Sequence, residues 1–167
     1  VTAALADLAR LGRLRASSLY RTEPLGDPDQ PWYVNAVAQL ETGLLPLALL
    51  DRLQELERIA GRPPHGVRWA PRRLDLDLLF VDGIELATPR LVLPHPELAH
   101  RRFVLEPLCE IAPDLRDPRS GRTVRDLLAH LDDPLRVEKL CAPPMLAASE
   151  DEQTCPERRA PTEAQLP

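Results

Sequence analysis

Apolar residues recur at helical spacing in several stretches of the chain and at strand spacing between them. Ala3 to Leu11 sets Leu5, Leu8 and Leu11 on one helical face and runs into Gly12, where a helix stops. Leu14 to Thr22 reads as a strand, and Glu23 to Pro31, with three prolines, one glycine and two aspartates, as a loop. In Tyr33 to Thr42, Val34, Ala36, Ala38 and Leu40 alternate with Asn35, Val37, Gln39 and Glu41. This is the signature of a strand with one face on the core, and the two strands are expected to pair. Pro46 then sits where a first-turn proline is tolerated. Leu47, Leu50, Leu53, Leu56, Glu57 and Ala60 mark a long amphipathic helix that ends at Gly61.

Arg62 to Pro71 is a loop dense in Pro, Gly and Arg, and Arg73 to Val81 returns to strand spacing. Asp82-Gly83 predicts a hairpin turn into a short strand at Ile84 to Ala87. A loop from Pro89 to Pro96 leads to a helical stretch from Glu97 to Ile111, with Pro107 expected to interrupt it, and Thr123 to Leu131 gives a last short helix. From Asp133 onward six prolines, many acids and few large apolar groups predict a disordered tail. The pattern therefore predicts one α+β domain over residues 1–132, helices packed on a mostly antiparallel sheet, and a tail over 133–167. The first helix has nothing ahead to cap it, so the chain is expected to be the remainder of a longer domain.

Composition narrows the chemistry. A length of 167 residues suits one domain, and 44% hydrophobic with 28% charged residues is the balance of a globular protein. The longest apolar run, Leu44 to Leu50, contains Pro46 and falls far short of the roughly 18–20 residues a membrane helix needs. Net charge is -5, which gives no general attraction to a nucleic-acid backbone, so any anion site must be local. Lys139 is the only lysine, and 7 glycines stand against 19 prolines. Neither a Walker-type phosphate loop nor a G-x-G-x-x-G dinucleotide turn occurs. Cys109, Cys141 and Cys155 are odd in number and widely spaced, which suggests neither a disulfide framework nor a zinc ribbon and fits a reducing cytoplasm.

The sharpest local signal is Arg72-Arg73-Leu74-Asp75-Leu76-Asp77-Leu78-Leu79-Phe80. On a strand, Leu74, Leu76 and Leu78 enter the core while Asp75 and Asp77 project together from the other face. Two hard carboxylates one pleat apart suit Mg²⁺, and metals held there would neutralise a polyphosphate during in-line displacement. Alternation alone also yields D-x-D on any half-exposed strand. The surroundings favour the metal: Arg62, Arg68, Arg72 and Arg73 precede the pair, and Arg90, His95, Arg101 and Arg102 follow it. Guanidinium groups are forked, permanent donors matched to phosphate oxygens. Trp32, Tyr33, Trp69 and Phe103 flank the same polar segments, where planar rings stack on a flat heterocycle or pack on the core.

Taken together, Arg62-Pro-Pro-His-Gly-Val-Arg-Trp-Ala-Pro-Arg-Arg-Leu-Asp-Leu-Asp77, Leu93-Pro-His-Pro96 and Arg101-Arg-Phe103 closely resemble the 6-hydroxymethyl-7,8-dihydropterin pyrophosphokinases of folate biosynthesis. Ser18-Leu-Tyr-Arg-Thr-Glu-Pro-Leu-Gly26, Tyr33-Val-Asn35 and Glu57 extend the resemblance over most of Leu14 to Leu131. It implies a ferredoxin-like α+β sandwich and Mg²⁺-dependent transfer of the β,γ-diphosphate of ATP to the pterin hydroxymethyl oxygen, with release of AMP. By similarity Asp75 and Asp77 hold two Mg²⁺ ions, and Arg62 and Arg72 lie on loops that bind phosphates and close the site. Arg90, His95 and Arg101 line the nucleotide path, with Gln54 and Glu57 near it. The pterin is expected between Trp69 or Tyr33 and Phe103, with Asn35 bonding its edge and backbone near Thr22 and Leu25 adding contacts.

The family begins with a strand and a Gly-Ser-Asn-Leu turn ahead of its first helix. The resemblance therefore implies an N-terminal strand missing from this sequence, with exposed sheet edges as the consequence. Pro63, Pro64 and His65 replace a more basic stretch. The chain is expected to act as a monomer on ATP and the pterin, with no nucleic acid or membrane partner. Two rivals share these residues: another two-metal nucleotidyl or phosphoryl transferase, and a non-catalytic pterin- or nucleotide-binding remnant.

Overall fold

The computed structural model describes residues 1–24, 30–61 and 74–142. Its elements in chain order are α1 (Thr2–Leu8), β1 (Arg13–Ala16), β2 (Leu19–Thr22), β3 (Tyr33–Asn35), β4 (Ala38–Glu41), α2 (Pro46–Ile59), β5 (Leu86–Ala87), β6 (Val92–Leu93), α3 (Arg102–Ile111), α4 (Val124–Ala129) and β7 (Val137–Cys141). Short 3₁₀ turns follow α1 at Ala9–Leu11 and precede α3 at Leu98–His100. The architecture is α+β with antiparallel pairing, as the sequence pattern predicts. Among the described residues, the pairs fall into sheets β1-β4, β3-β2-β7 and β5-β6. No helix among them is long and apolar enough to cross a membrane.

The two long strands expected at Leu14–Thr22 and Tyr33–Thr42 do pair, but each is broken in the middle. The register runs Leu14 opposite Leu40 and Ala16 opposite Ala38, then resumes with Tyr20 opposite Asn35 and Thr22 opposite Tyr33. At the break Ser17 and Ser18 are fully buried. Ser17 exchanges backbone bonds with Val37 through its own N–H at 2.8 Å and through its hydroxyl, which accepts the Val37 N–H at 3.0 Å. Ser18 turns away: its N–H and its hydroxyl both donate to Glu110 on α3, at 3.1 and 2.8 Å. The hairpin bends because a serine pair redirects ladder bonds to a side chain on the next layer. Gly12 enters this hairpin at a point where an added Cβ would lie 2.0 Å from the Glu41 carbonyl oxygen, so only glycine fits.

Three apolar clusters fill the layers. Leu5 and Leu8 of α1 and Leu49 and Leu53 of α2 pack with Leu14 and Leu40 of the hairpin and with Leu76 and Leu78. Leu50, Leu91 and Leu93 meet Leu78, Ile84 and Leu86. Leu98, Leu105, Leu108, Ile111, Val124 and Leu127 close the α3–α4 side over Val37, Leu79 and Phe80. Residues 74–80 thus run between two helical layers, touching all three clusters.

Several elements differ from expectation. Residues 74–80 are extended but carry no ladder among the described residues. Asp82-Gly83 does make a turn, with Gly83 at φ +66° and a single Val81–Ile84 bridge. The short strand beyond it pairs forward with β6, Leu86 opposite Leu93, inside the stretch expected as a loop. Pro107 sits inside α3 without ending it, since the ring is fully buried and its packing offsets the lost backbone bond. The tail expected from Asp133 is corrected at its start. Val137–Cys141 forms β7 on the free edge of β2, because backbone pairing and two ion pairs, Arg21–Glu138 and Lys139–Glu110, hold a segment with few apolar groups. Residues 143–167 lie outside the described residues.

Glu110 is the polar junction of these layers. Besides Ser18 it accepts from the Tyr20 hydroxyl at 2.8 Å and from Lys139 Nζ at 3.2 Å. Burial pushes its carboxyl up, but the bonds from Tyr20, Ser18 and Lys139 outweigh that and hold it below the ordinary glutamate value. Burial, reinforced by the neighbouring carboxylate, pushes the Tyr20 hydroxyl up. A carboxyl depressed on folding stabilises above its unfolded value, and that stabilisation is lost as pH falls through the folded one. Glu110→Ala strands these donors and is expected to cost about 1–3 kcal/mol at neutral pH. Urea unfolding should show that deficit in full at about pH 7 and a progressively smaller one as pH falls through the folded value of the wild-type carboxyl.

Candidate active site

The acid pair stands as the leucine spacing predicts: Leu74, Leu76 and Leu78 are partly buried and Asp75 and Asp77 are exposed. Among the described residues, what fixes the segment is not a ladder but hydrogen bonds to its backbone. Glu57 of α2 is only 2% exposed, and its carboxylate accepts the Leu76 N–H, between the two aspartates, at 2.9 Å. Two residues beyond Asp77, the Leu79 carbonyl accepts the His95 N–H at 2.7 Å. The acidic segment is therefore clamped from α2 on one side and from the loop after β6 on the other.

The same clamp gathers the expected nucleotide residues. Gln54 and Glu57 share α2, and Gln54 is exposed. Arg90 pairs with Asp51 of that helix. His95 is half-buried; its Nδ1 accepts the Glu97 N–H at 3.2 Å and its carbonyl accepts the Leu98 N–H at 3.1 Å. Arg101 pairs with Glu97 at 3.0 Å. Leu91 and Leu93 pack on Leu50 and Leu78 and so tie β6 to α2 and to the acidic segment.

The expected heterocycle residues form a second group on β2, β3 and α3. Asn35 Nδ2 donates to Thr22 Oγ1 at 2.8 Å across the paired strands, with Thr22 buried. Tyr33 is 45% exposed, its hydroxyl donating to Gln30 at 3.2 Å, and Phe103 is half-buried in the first turn of α3. Val37, two residues past Asn35, packs in one cluster with Leu79, two residues past Asp77, so the two groups are joined through the core. Leu25, Arg62, Trp69 and Arg72 lie outside the described residues.

Two members of the charge and aromatic clusters are occupied elsewhere. Arg102 binds Asp133, Leu131 and Glu106, anchoring the start of α3 to the chain beyond α4. Trp32 carries the guanidinium groups of Arg21 and Arg136 at 4.6 and 5.1 Å from its ring centre, which ties the entry to β3 against the approach to β7. The spacing of residues along the chain gives no sign of either anchor, since Asp133 and Leu131 for Arg102, and Arg21 and Arg136 for Trp32, come from more than ten positions away.

A family model described as 7,8-dihydro-6-hydroxymethylpterin-pyrophosphokinase matches residues 1–113. Relatives named 2-amino-4-hydroxy-6-hydroxymethyldihydropteridine pyrophosphokinase occur in several bacteria. That of Pseudomonas aeruginosa is 48% identical over 132 residues, 77% of this chain and 80% of the relative. That of Synechocystis sp. is 44% identical over 132 residues, 77% and 67% of the two chains. That of Haemophilus influenzae is 46% identical over 117 residues, 70% and 72%. The chain belongs to this pyrophosphokinase family.

The family match spans α1 through the end of α3 and takes in both residue groups, while α4 and β7 lie beyond it. Mg²⁺ fits the donor set that the pyrophosphokinase chain presents. No three His, Cys, Asp or Glu side chains gather into a metal cage among the described residues. Mg²⁺ needs none, because it keeps several waters and is held by one or two carboxylates together with substrate phosphates. Glu57→Ala is expected to leave the partly buried Leu76 N–H without its Glu57 acceptor and to cost about 1–3 kcal/mol. Thermal unfolding measures that cost, and the Leu76 amide should lose hydrogen-exchange protection more than the amides of β1.

Proposed function

We propose that this chain transfers the β,γ-diphosphate of ATP to the hydroxymethyl oxygen of 6-hydroxymethyl-7,8-dihydropterin and releases AMP. The reading is carried by one observation: an exposed aspartate pair clamped by Glu57 and His95 and linked through the Val37–Leu79 cluster to the strand that carries Asn35, in a chain of this family. In the reaction the pterin hydroxyl oxygen bonds to the β-phosphorus, the bond from that phosphorus to the α–β bridging oxygen breaks, and AMP leaves with that oxygen. The hydroxyl proton passes to solvent or to a phosphate oxygen.

Asp75 and Asp77 would hold two Mg²⁺ ions. Bound there, Mg²⁺ supplies neutralisation of phosphate charge as the leaving and entering oxygens exchange. Arg90, Arg101 and His95 bind phosphate oxygens or the nucleotide, and Gln54 and Glu57 border it, with Glu57 also holding the acidic segment in place. Arg62 and Arg72 bind phosphates as the loops around them close. Asn35 and Thr22, with the backbone near Leu25, read the edge of the pterin, while Tyr33 or Trp69 and Phe103 stack on its faces. The chain works as a monomer in the cytoplasm, on small molecules alone.

Release of AMP, read by coupled assay or ³¹P NMR with both substrates present, tests the reaction. AMP with a diphosphorylated pterin supports it. Free pyrophosphate instead points to a nucleotidyl transferase, and ligand binding without turnover to a non-catalytic binder. Asp75→Asn and Asp77→Asn should each lower kcat by about 10³-fold, the equivalent of the several kcal/mol that a metal supplies, with the circular dichroism spectrum unchanged. Near-normal AMP formation by either variant contradicts the metal assignment. Asn35→Ala should raise KM for the pterin about 10-fold or more and leave KM for ATP within about twofold, as expected for one lost hydrogen bond to one ligand.

A further inference from the structure

His95 lies between two prolines, and its backbone and ring are held by the Leu79, Leu98 and Glu97 contacts described above. A ring nitrogen that accepts from a backbone N–H carries the lone pair, so in the neutral imidazole the proton sits on Nε2. That leaves Nε2–H as the donor. The residue before it is held as well: the Pro94 carbonyl accepts from the guanidinium of Arg119, 25 residues further on.

Arg119 comes from a loop built to present it. Asp117, 8% exposed, accepts from the N–H groups of Arg119 and Ser120 at 3.3 and 3.1 Å and from the Ser120 hydroxyl at 2.6 Å. Its own backbone pairs with Gly121 and Arg122 at 2.8 and 3.0 Å. The guanidinium then lies on the wall of an open cavity of about 520 Å³ shared with His95, His100 and His130. Arg119 is exposed, so shortening it removes little core packing. Arg119 also lies outside the matched span of residues 1–113.

We propose that Arg119 is a positioning residue for His95. By binding the Pro94 carbonyl it holds the Pro94–Pro96 loop in the conformation in which Glu97 captures Nδ1 and Nε2–H is the donor to a phosphate oxygen. The proposal rests on the reading that His95 contacts ATP, and the test separates the two.

The experiment uses the full chain with Arg119→Ala, Arg119→Lys, His95→Gln and the Arg119→Ala/His95→Gln pair, measuring kcat, both KM values and the ¹⁵N NMR signals of the His95 ring. His95→Gln should raise KM for ATP about 10-fold, and Arg119→Ala about 3- to 10-fold, with KM for the pterin unchanged and much of the loss recovered in Arg119→Lys. The pair should show little more than the larger single effect, as residues acting through one contact do. In the wild type the neutral ring should be the Nε2–H form, and Arg119→Ala should mix the two tautomers. An unchanged tautomer in Arg119→Ala overturns the proposal, as do fully additive effects on KM. If His95→Gln leaves KM for ATP unchanged, the nucleotide role of His95 fails, and the ring signals still decide whether Arg119 sets it.

Discussion

The structure depends on a two-residue burial period over residues 74–78, imposed by the apolar layers that flank the segment. Leu76 and Leu78 are drawn against α1 and α2, while Leu79 and Phe80 meet the α3–α4 side. With alternate side chains committed to the interior, Asp75 and Asp77 have to face outward, and on one side. Burial of leucine is worth about 1.5–3 kcal/mol per side chain, far more than the repulsion of two exposed carboxylates in water. The apolar pattern therefore holds in place a pair of like charges, an arrangement whose repulsion a bound cation would lower.

Backbone polar groups settle the position of that segment along its own direction. A buried glutamate is costly unless it is bonded, and Glu57 meets that condition by taking the Leu76 N–H. The Leu79 carbonyl does the same for the loop that carries His95. One helix and one loop are thus registered against the acids by hydrogen bonds to the Leu76 N–H and the Leu79 carbonyl. On the far side of the molecule, Glu110 gathers donors from β2 and β7 onto α3, which also carries Phe103. Two buried or half-buried glutamates, one per helix, tie the acidic segment and the β2–β7 pair to the same core.

Much of this was legible in the sequence because it follows from periodicity. The helix at Pro46–Ile59, the outward aspartates and the hairpin partners need only local alternation and a motif in order. The breaks in the hairpin were not legible, since Ser17 and Ser18 suit a strand locally and reveal their role only with Glu110, 92 residues away, in place. The strand Val137–Cys141 was hidden for a related reason: its residues bury little, and it exists because β2 offers an edge. The roles of Arg102, Trp32 and Arg119 are set by tertiary partners, and arginine spacing alone cannot divide phosphate ligands from structural anchors. Pro107 shows the reverse case, in which a strong local rule yields to burial.

The most direct measurement of the central claim is Mn²⁺ binding by electron paramagnetic resonance, with Mn²⁺ in place of Mg²⁺ and a non-hydrolysable ATP analogue present. The account predicts that the full chain takes up Mn²⁺ in an analogue-dependent way and that the Asp75→Asn/Asp77→Asn double variant, folded as the wild type, does not. Equal uptake of Mn²⁺ by both proteins would contradict it.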